Sequence, residues 1–308
     1  MDQLTVTSTG WNPNYLPQNV AEDTGLFAEQ GLQVIRRPQD PWEGVLTDLA
    51  SGEADVALGG LWVPAMYHGT ARDLVAVGQL NGRYAQAIVT RAGSGEFDWS
   101  WLRGKTMVVP GAGGTAGYTF IAGLMREAGV DPAATRFVRD LSTEMLTELF
   151  EGGLGDALLA NLVTGADLQH RGVGVMSLLL ADVGGPIPNS VYYVRRDRLD
   201  ELSDRLGRFL TAVQGAMNQL VNTQADDLTK LALTLFPDVD PAVLRTVTGH
   251  LLSTRTWESV RIDRAAYDRW IAFQYDVPLL RAPIPYDGLV DTRAMDVADP
   301  IMESPASS

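Results

Sequence analysis

The segment VVPGAGGTAGYTF, residues 108–120, places four glycines between an apolar run and a predicted helix. Such a loop brings backbone N–H groups and the positive end of a helix dipole close to an anionic or hydrogen-bond-accepting group. The hydroxyls of Thr115 and Tyr118 would add to these donors. The segment therefore predicts a nucleotide-phosphate site, a site for another small ligand, or a tight turn that needs glycine for its geometry.

The spacing within this loop weakens the nucleotide interpretation. A Walker A loop requires Lys before the Ser or Thr, but Gly114 precedes Thr115. Gly111, Gly113 and Ala116 fit the dinucleotide fingerprint, although this loop opens a second βαβ unit rather than the first. Asp140, the nearest acid at a following strand end, also lies beyond the roughly 20 residues expected for a ribose ligand. The dinucleotide interpretation is therefore the weakest of the three, and all three remain open.

Composition narrows the class of protein. The chain has 308 residues, of which 45% are hydrophobic and 20% charged, and this length predicts two domains. Its net charge of -14 disfavours nucleic acid and anionic membranes as partners, because both require a basic surface. The chain has no cysteine and only three histidines, so we expect no metal and no cofactor.

No apolar run reaches the length of a membrane span, and no export signal precedes the first predicted strand. The sequence is therefore expected to be either a cytoplasmic protein or the mature form of an exported protein whose signal has been removed.

Strands alternate with helices along the chain, which predicts an α/β fold with mostly parallel sheets. The segment 92–104 is rich in loop residues and indicates a boundary between two sets of alternating strands and helices. The chain is predicted to be helical in four segments from about 196 to 274, followed by an irregular tail of about thirty residues. The predicted strands are 4–8, 33–36, 54–58, 74–80, 85–91, 105–109, 135–138, 157–160, 173–179 and 191–195, and the earlier predicted helices are 19–30, 41–51, 115–128 and 142–151.

Three segments taken together resemble one family. VAEDTGLFAEQGLQV (20–34), LASGEADVALGG (49–60) and LRGKTMVVPGAGGTAGYTF (102–120) occur in this order. They resemble the NMT1/THI5-like group of type II periplasmic binding proteins, the substrate-binding components of ABC transporters for sulfonates, nitrate and thiamine-pyrimidine precursors. The resemblance covers residues 4–235, and in the first helix it rests on Gly25, Leu26, Phe27, Glu29, Gly31 and Leu32.

The resemblance implies a type II periplasmic-binding-protein fold with extra C-terminal helices. Residues 1–88 with 190–308 would form lobe one and 89–189 lobe two, joined by crossover strands Ala85–Arg91 and Val191–Arg195. A small-molecule ligand would bind between the lobes at strand ends. An ABC permease would be the partner, the protein would be a monomer, and it would work outside the cytoplasm, in the periplasm or anchored to a membrane.

Carried onto this chain, the family's site predicts ligand contacts from loops that follow strands. Trp11 and Trp62 could equally be core aromatics, and Asn189 could serve a Pro-Asn turn. Asn161 is favoured because an amide at a strand end has few structural roles. The predicted ligand-binding residues are Trp11, Asn12, Gly60, Leu61, Trp62, Tyr84, Gly113, Gly114, Thr115, Tyr118, Asn161 and Asn189.

The residue types near this site favour a planar polar ligand, such as a pyrimidine, over a sulfonate or nitrate. Several aromatic residues are available, whereas Arg83 is the one candidate counter-ion and is more typical of a surface charge. A ligand-sensing module that reports occupancy to a partner is also compatible with the sequence.

The main alternative is a cytoplasmic enzyme on the same fold, similar to the pyrimidine synthases, the desulfinase or the aromatic decarboxylase of this fold group. Related pyrimidine synthases use a lysine that holds pyridoxal phosphate, and related desulfinases use a cysteine nucleophile. Lys105 and Lys230 do not match that lysine, and the chain has no cysteine. The one weak catalytic candidate is His68, with Arg72 or Asp73 nearby, although a histidine after a helix is more typical of a cap.

Overall fold

The computed structural model describes residues 1–10, 12–111, 116–139, 141–275 and 280–302. Within these ranges the chain forms an α/β fold, as the alternation of strands and helices predicts, but its two sheets are mixed rather than mostly parallel, because half of the strand pairings are antiparallel. The strands are β1 (Asp2–Ser8), β2 (Leu32–Pro38), β3 (Val56–Gly60), β4 (Leu74–Asn81), β5 (Gln86–Arg91), β6 (Thr106–Val109), β7 (Arg136–Arg139), β8 (Ala157–Asn161), β9 (Gly174–Leu179) and β10 (Ser190–Arg195).

The first sheet has the strand order β2-β1-β3-β10-β4, and the second has the order β9-β5-β8-β6-β7. In the first sheet β1, β2 and β3 are parallel, while β10 runs antiparallel to both β3 and β4. In the second, β6, β7 and β8 are parallel and β5 is antiparallel to β8 and β9. Strand β10, inside the first sheet, and strand β4, at its edge, are buried along nearly their whole lengths, and both sequences are largely apolar.

The chain passes between the two sheets twice, once between β4 and β5 and once between β9 and β10. The two connections are hydrogen-bonded to each other. Ile187 N donates to Gly82 O at 2.9 Å, and Asn189 N donates to Asn81 O at 3.0 Å. This double connection is the architecture expected of the type II periplasmic-binding-protein fold. The exact lobe boundaries, 1–88 with 190–308 and 89–189, stay a prediction.

Helices occupy many of the connections between strands, and they differ from the prediction in two respects. The helices Trp62–Tyr67, Leu162–His170 and Leu180–Val183 were not predicted, and one predicted helix is divided. The predicted helix 19–30 is two helices, because Gly25 has a φ of 79° and ends the first one. The helices are α1 (Leu16–Asp23), α2 (Leu26–Glu29), α3 (Gly44–Ser51), α4 (Trp62–Tyr67), α5 (Ala116–Glu127), α6 (Thr143–Glu151), α7 (Leu162–His170), α8 (Leu180–Val183), α9 (Leu199–Val221), α10 (Ala225–Leu235), α11 (Pro241–Ser253), α12 (Arg264–Tyr275), α13 (Tyr286–Leu289) and α14 (Arg293–Met302).

The four predicted C-terminal helices correspond to α9 to α12, but the prediction of an irregular tail is wrong. Within the described part of that tail α13 and α14 form, and α14 packs along α9. Ala294, Met295 and Ala298 are buried there, because their spacing gives the helix an apolar stripe. The prolines in the tail, including Pro300 inside α14, concealed that periodicity.

Among the described residues, no helix combines the length and apolar content needed to cross a bilayer. Those residues also contain no cluster of three or more metal-ligating side chains.

Candidate ligand-binding site

A cavity of about 410 Å³ lies where strands from both sheets end. Gly60 ends β3 and is paired with Ser190, the first residue of β10, while Gln86 at the start of β5 is paired with Asn161 at the end of β8. The two sheets thus present corresponding edges to the same space. The lining residues are Thr9, Asn12, Pro13, Asn14, Tyr15, Gly60, Trp62, Tyr84, Ala85, Gln86, Ala116, Asn161, Val163, Thr164, Asn189, Ser190, Phe236 and Val239.

Of the twelve residues predicted to bind ligand, the structure brings six to this cavity: Asn12, Gly60, Trp62, Tyr84, Asn161 and Asn189.

Two other predicted residues do not line the cavity. Leu61 is fully buried in the core. The Tyr118 ring packs edge-on against Phe137, with the ring centroids 5.0 Å apart, and the Arg139 guanidinium lies 4.2 Å from the Tyr118 ring. Tyr118 therefore contacts β7 rather than the cleft.

The remaining four predicted residues, Trp11, Gly113, Gly114 and Thr115, lie outside the described residues. Among the described residues of the segment 108–120, Ala116, the first residue of α5, lines the cavity.

Two aromatic side chains of the cavity are held by close packing. Trp62 lies against Gly60, and its indole also contacts Trp42 with the ring centroids 5.0 Å apart. Tyr84 packs on Phe120 with the centroids 4.5 Å apart. Both are more than nine-tenths buried, so their orientations are fixed before a ligand arrives.

A buried hydrogen-bond network positions the hydroxyls on the side of the first sheet. Trp257 Nε1 donates to Asn81 Oδ1 at 3.1 Å, and Asn81 Nδ2 donates to Ser190 Oγ at 3.2 Å. The hydroxyls of Tyr15 and Thr9 are 3.0 Å apart. Burial raises the pKa of Tyr15, and hydrogen bonds from Thr9 and Ser190 partly offset that effect. The network therefore runs from a residue of the C-terminal part to the cavity surface.

Asn12 and Asn161 each combine a structural role with a place at the cavity. Asn161 Oδ1 accepts a hydrogen bond from Thr164 N at 2.9 Å and so caps α7, while Asn12 Oδ1 accepts from Asn14 N at 3.1 Å. The argument that Asn161 has few structural roles was therefore wrong. Its Nδ2 group has no protein partner in the ranges that the structure describes, and it remains available for a ligand.

The described lining residues carry no charged side chain. Burial raises the pKa of Tyr84 as well as that of Tyr15, so both phenols are neutral. Arg83, the candidate counter-ion, does not line the cavity and instead donates to Ala181 O at 3.2 Å. The described lining therefore offers neutral donors, neutral acceptors and aromatic rings.

His68, the weak catalytic candidate, lines a different pocket together with residues 280–285. Its Nδ1 is 3.8 Å from Asp73 Oδ1, and Asp73 Oδ2 accepts from Arg196 Nε at 2.7 Å. This group stabilises the start of β4 and the end of β10, and it lies apart from the cavity that holds the other candidates.

Several lining residues were absent from the predicted set. Thr9 directly follows β1, and Gln86 begins β5, so their positions at strand ends were visible in the sequence. Phe236 and Val239 gave no such signal, because they come from the turn between two C-terminal helices. Only tertiary packing brings that turn to the cavity.

Replacing Gly60 by alanine tests the packing under Trp62. A Cβ atom there would lie 2.5 Å from Cδ1 and Nε1 of the Trp62 indole, so the ring must move. We expect a loss of about 1–3 kcal/mol in the free energy of unfolding, the usual cost of overpacking, together with weaker ligand binding.

Urea denaturation and titration calorimetry measure the two effects of this substitution. Gly249→Ala in α11 is the matched control, because its Cβ would meet nothing within 4 Å and alanine favours the helix. Equal effects of the two substitutions would contradict the role given to Gly60.

The two sheets, the double connection and the cavity between strand ends define a two-lobed α/β protein of the periplasmic-binding type. The chain belongs to the NMT1/THI5-like family, whose sequence model matches residues 12–226. It is 25% identical over 237 residues to YtlA of Bacillus subtilis (strain 168), which is named as a binding protein; the match covers 75% of this chain and 70% of YtlA.

Solved structures share the fold. The periplasmic aliphatic sulphonate binding protein SsuA of Escherichia coli superposes with a TM-score of 0.75 at 14% identity, covering 94% of this chain and 97% of SsuA. The desulfurization enzyme DSZB superposes with a TM-score of 0.68 at 16% identity, covering 97% of this chain and 99% of the enzyme. At these identities the likeness shows the fold alone.

Proposed function

We propose that this protein is a solute-binding protein that captures a small, uncharged, planar polar molecule between its lobes for import by an ABC transporter. The observation that carries the proposal is the lining itself, in which amides and hydroxyls accompany Tyr15, Trp62, Tyr84 and Phe236 without any described charge. A pyrimidine offers two faces for stacking and an edge of donors and acceptors. The binding-protein names of YtlA and SsuA support the solute-binding role.

In this proposal residues 1–88 with 190–308 form one lobe, residues 89–189 form the other, and the ligand contacts both. Asn12 and Ser190 would hold it from the first lobe, and Gln86 and Asn161 from the second. The protein acts as a monomer outside the cytoplasm and delivers its ligand to a permease. The likeness to SsuA, a periplasmic protein, supports that location.

The cavity offers no support for the enzyme alternative. No lysine or histidine stands among its described lining residues, and the chain has no cysteine. The cysteine nucleophile and the cofactor lysine of such enzymes are therefore not among the described lining residues.

Titration calorimetry with two ligand classes tests the proposal. The probes are 4-amino-5-hydroxymethyl-2-methylpyrimidine for the neutral planar class, and ethanesulfonate and nitrate for the anionic class. We expect the pyrimidine to bind at least about tenfold more tightly, equivalent to about 1.4 kcal/mol. Its affinity should change little between low and high salt, because no ion pair is formed.

Arg83→Gln is the control in this experiment. It should leave the pyrimidine affinity unchanged, since Arg83 lies off the cavity. Tighter binding of a sulfonate or of nitrate, lost at high salt or in Arg83→Gln, would overturn the assignment of an uncharged ligand.

A further inference from the structure

The turn between α10 and α11 reaches the ligand cavity from outside both sheets. Phe236 and Val239 in this turn belong to the cavity lining, although they follow the last strand of the first sheet by some forty residues. Phe236 is 7% exposed and Val239 is half-buried. Besides the two walls formed by the strand ends of the two sheets, which supply polar groups, the cavity thus has a third wall formed by this turn.

The turn has a defined conformation. Val239 N donates to Phe236 O at 3.2 Å, which closes the turn. Asp240 Oδ1 accepts from Ala242 N at 2.7 Å and caps α11, and Pro241 occupies the first helical position. The two apolar side chains are therefore presented by a fixed backbone.

The helices that carry the turn are joined to each other and to both sides of the cleft. The hydroxyls of Thr229 in α10 and Thr248 in α11 are buried and 2.8 Å apart. The α11 helix packs on α7, whose first turn supplies Val163 and Thr164 to the cavity, and it also contacts the short turn Pro13–Tyr15. The hairpin formed by α10 and α11 therefore spans the cleft from the lobe-two side to the lobe-one side.

The side chains of this wall are apolar, whereas the rest of the cavity mixes polar groups with aromatic rings. Phe236, Val239 and Val163 expose only hydrocarbon to the ligand, whereas hydrogen-bonding groups come from the strand ends. A methylene group more or less in a hydrophobic pocket changes affinity by about 10–200-fold. Residues at this wall can therefore decide which apolar substituent is accepted without altering recognition of the polar part.

We infer that the hairpin of α10 and α11 is the specificity wall of the cavity, with Phe236 and Val239 setting the size of the apolar substituent on a ligand whose polar part is held by the strand ends. The inference rests on the proposed function, since it requires that the cavity bind a solute.

Two homologous series of probes test it by titration calorimetry. One is 4-aminopyrimidine with 2-alkyl groups from methyl to butyl, and the other is the linear alkanesulfonates from methane- to hexanesulfonate. Phe236→Ala and Val239→Ala shorten the side chains of the wall and so enlarge the cavity, and the preferred alkyl group should become longer. The ratio of long-chain to short-chain affinity should rise at least about tenfold relative to wild type.

Val243→Ala is the matched control for Val239→Ala. Val243 lies one turn further along in α11 and is buried, but it does not line the cavity. It should lower stability without changing the chain-length preference. Phe236→Leu, which keeps most of the buried volume, replaces Phe236→Ala if that variant fails to fold, and it should shift the preference in the same direction.

The outcomes separate the two proposals. The inference is supported if the wall variants prefer a longer alkyl chain on the probe while Val243→Ala keeps the wild-type preference. This holds whichever series of probes binds. An unchanged preference in variants that bind and fold would overturn the inference alone. Failure of wild type to bind any member of either series would contradict the solute-binding function, and the inference with it. Binding of the alkanesulfonates alone would contradict only the assignment of an uncharged ligand.

Discussion

Replacing Thr164 by tryptophan is expected to weaken ligand binding by at least about 100-fold, or about 2.7 kcal/mol, with little loss of stability. Thr164 lies in the first turn of α7 and lines the cavity, and its side chain is only partly buried. An indole at this position would occupy space needed by the ligand in a cavity of about 410 Å³. The backbone N–H that Asn161 caps is retained.

Thr234→Trp provides the control for this substitution. Thr234 is exposed on α10 and does not line the cavity, so the same change in side chain should leave affinity as in wild type. Circular dichroism and thermal unfolding check that both variants fold. Full affinity in a folded Thr164→Trp variant would mean that the ligand binds elsewhere.

Replacing Trp257 by alanine is expected to have the largest effect on stability. Trp257 is 3% exposed, and its Nε1 group donates to both Asn14 O at 2.9 Å and Asn81 Oδ1 at 3.1 Å. Removal of the indole leaves a cavity in the core and leaves Asn14 O and Asn81 Oδ1 without this donor. Core Trp→Ala substitutions cost about 3–5 kcal/mol, and urea denaturation should show a loss in that range.

Trp257→Phe separates the hydrogen bonds from the packing. It keeps an aromatic ring but removes the donor, so it should cost about 1–3 kcal/mol, the price of buried acceptors left unpaired. It should also weaken ligand binding, because Asn81 positions Ser190 at the cavity. Trp99→Ala, at a half-exposed position, is the control with a small expected effect. Stability equal to wild type in Trp257→Phe would contradict the role of the network.

The strand and helix pattern could be predicted from the sequence because each element carries its own signal. Strand β4 begins with an apolar run, 74–77, and is buried along its whole length, and the segment 49–60 contains the end of a helix, a Gly turn and a strand in order. Predictions failed where a single residue outweighs a periodic pattern. Gly25 ended a helix that the apolar spacing continued, and Pro300 concealed the stripe of α14.

Half of the predicted ligand contacts lie on the cavity because parallel strands place their ends at one edge. Gly60 and Asn161 are such strand-end residues. Leu61 follows Gly60 directly but points into the core, since neighbouring residues leave the backbone in different directions. Phe236 and Val239 could not be found in this way, because the packing of α11 on α7 is a long-range contact with no local pattern.

Native mass spectrometry of the protein, after incubation with a mixture of small metabolites, tests the central claim most directly. The account predicts one bound molecule per chain in wild type, released chemically unaltered on denaturation, and none in Thr164→Trp. A protein that retains no molecule, or one that releases a chemically altered form of the molecule added, would contradict it.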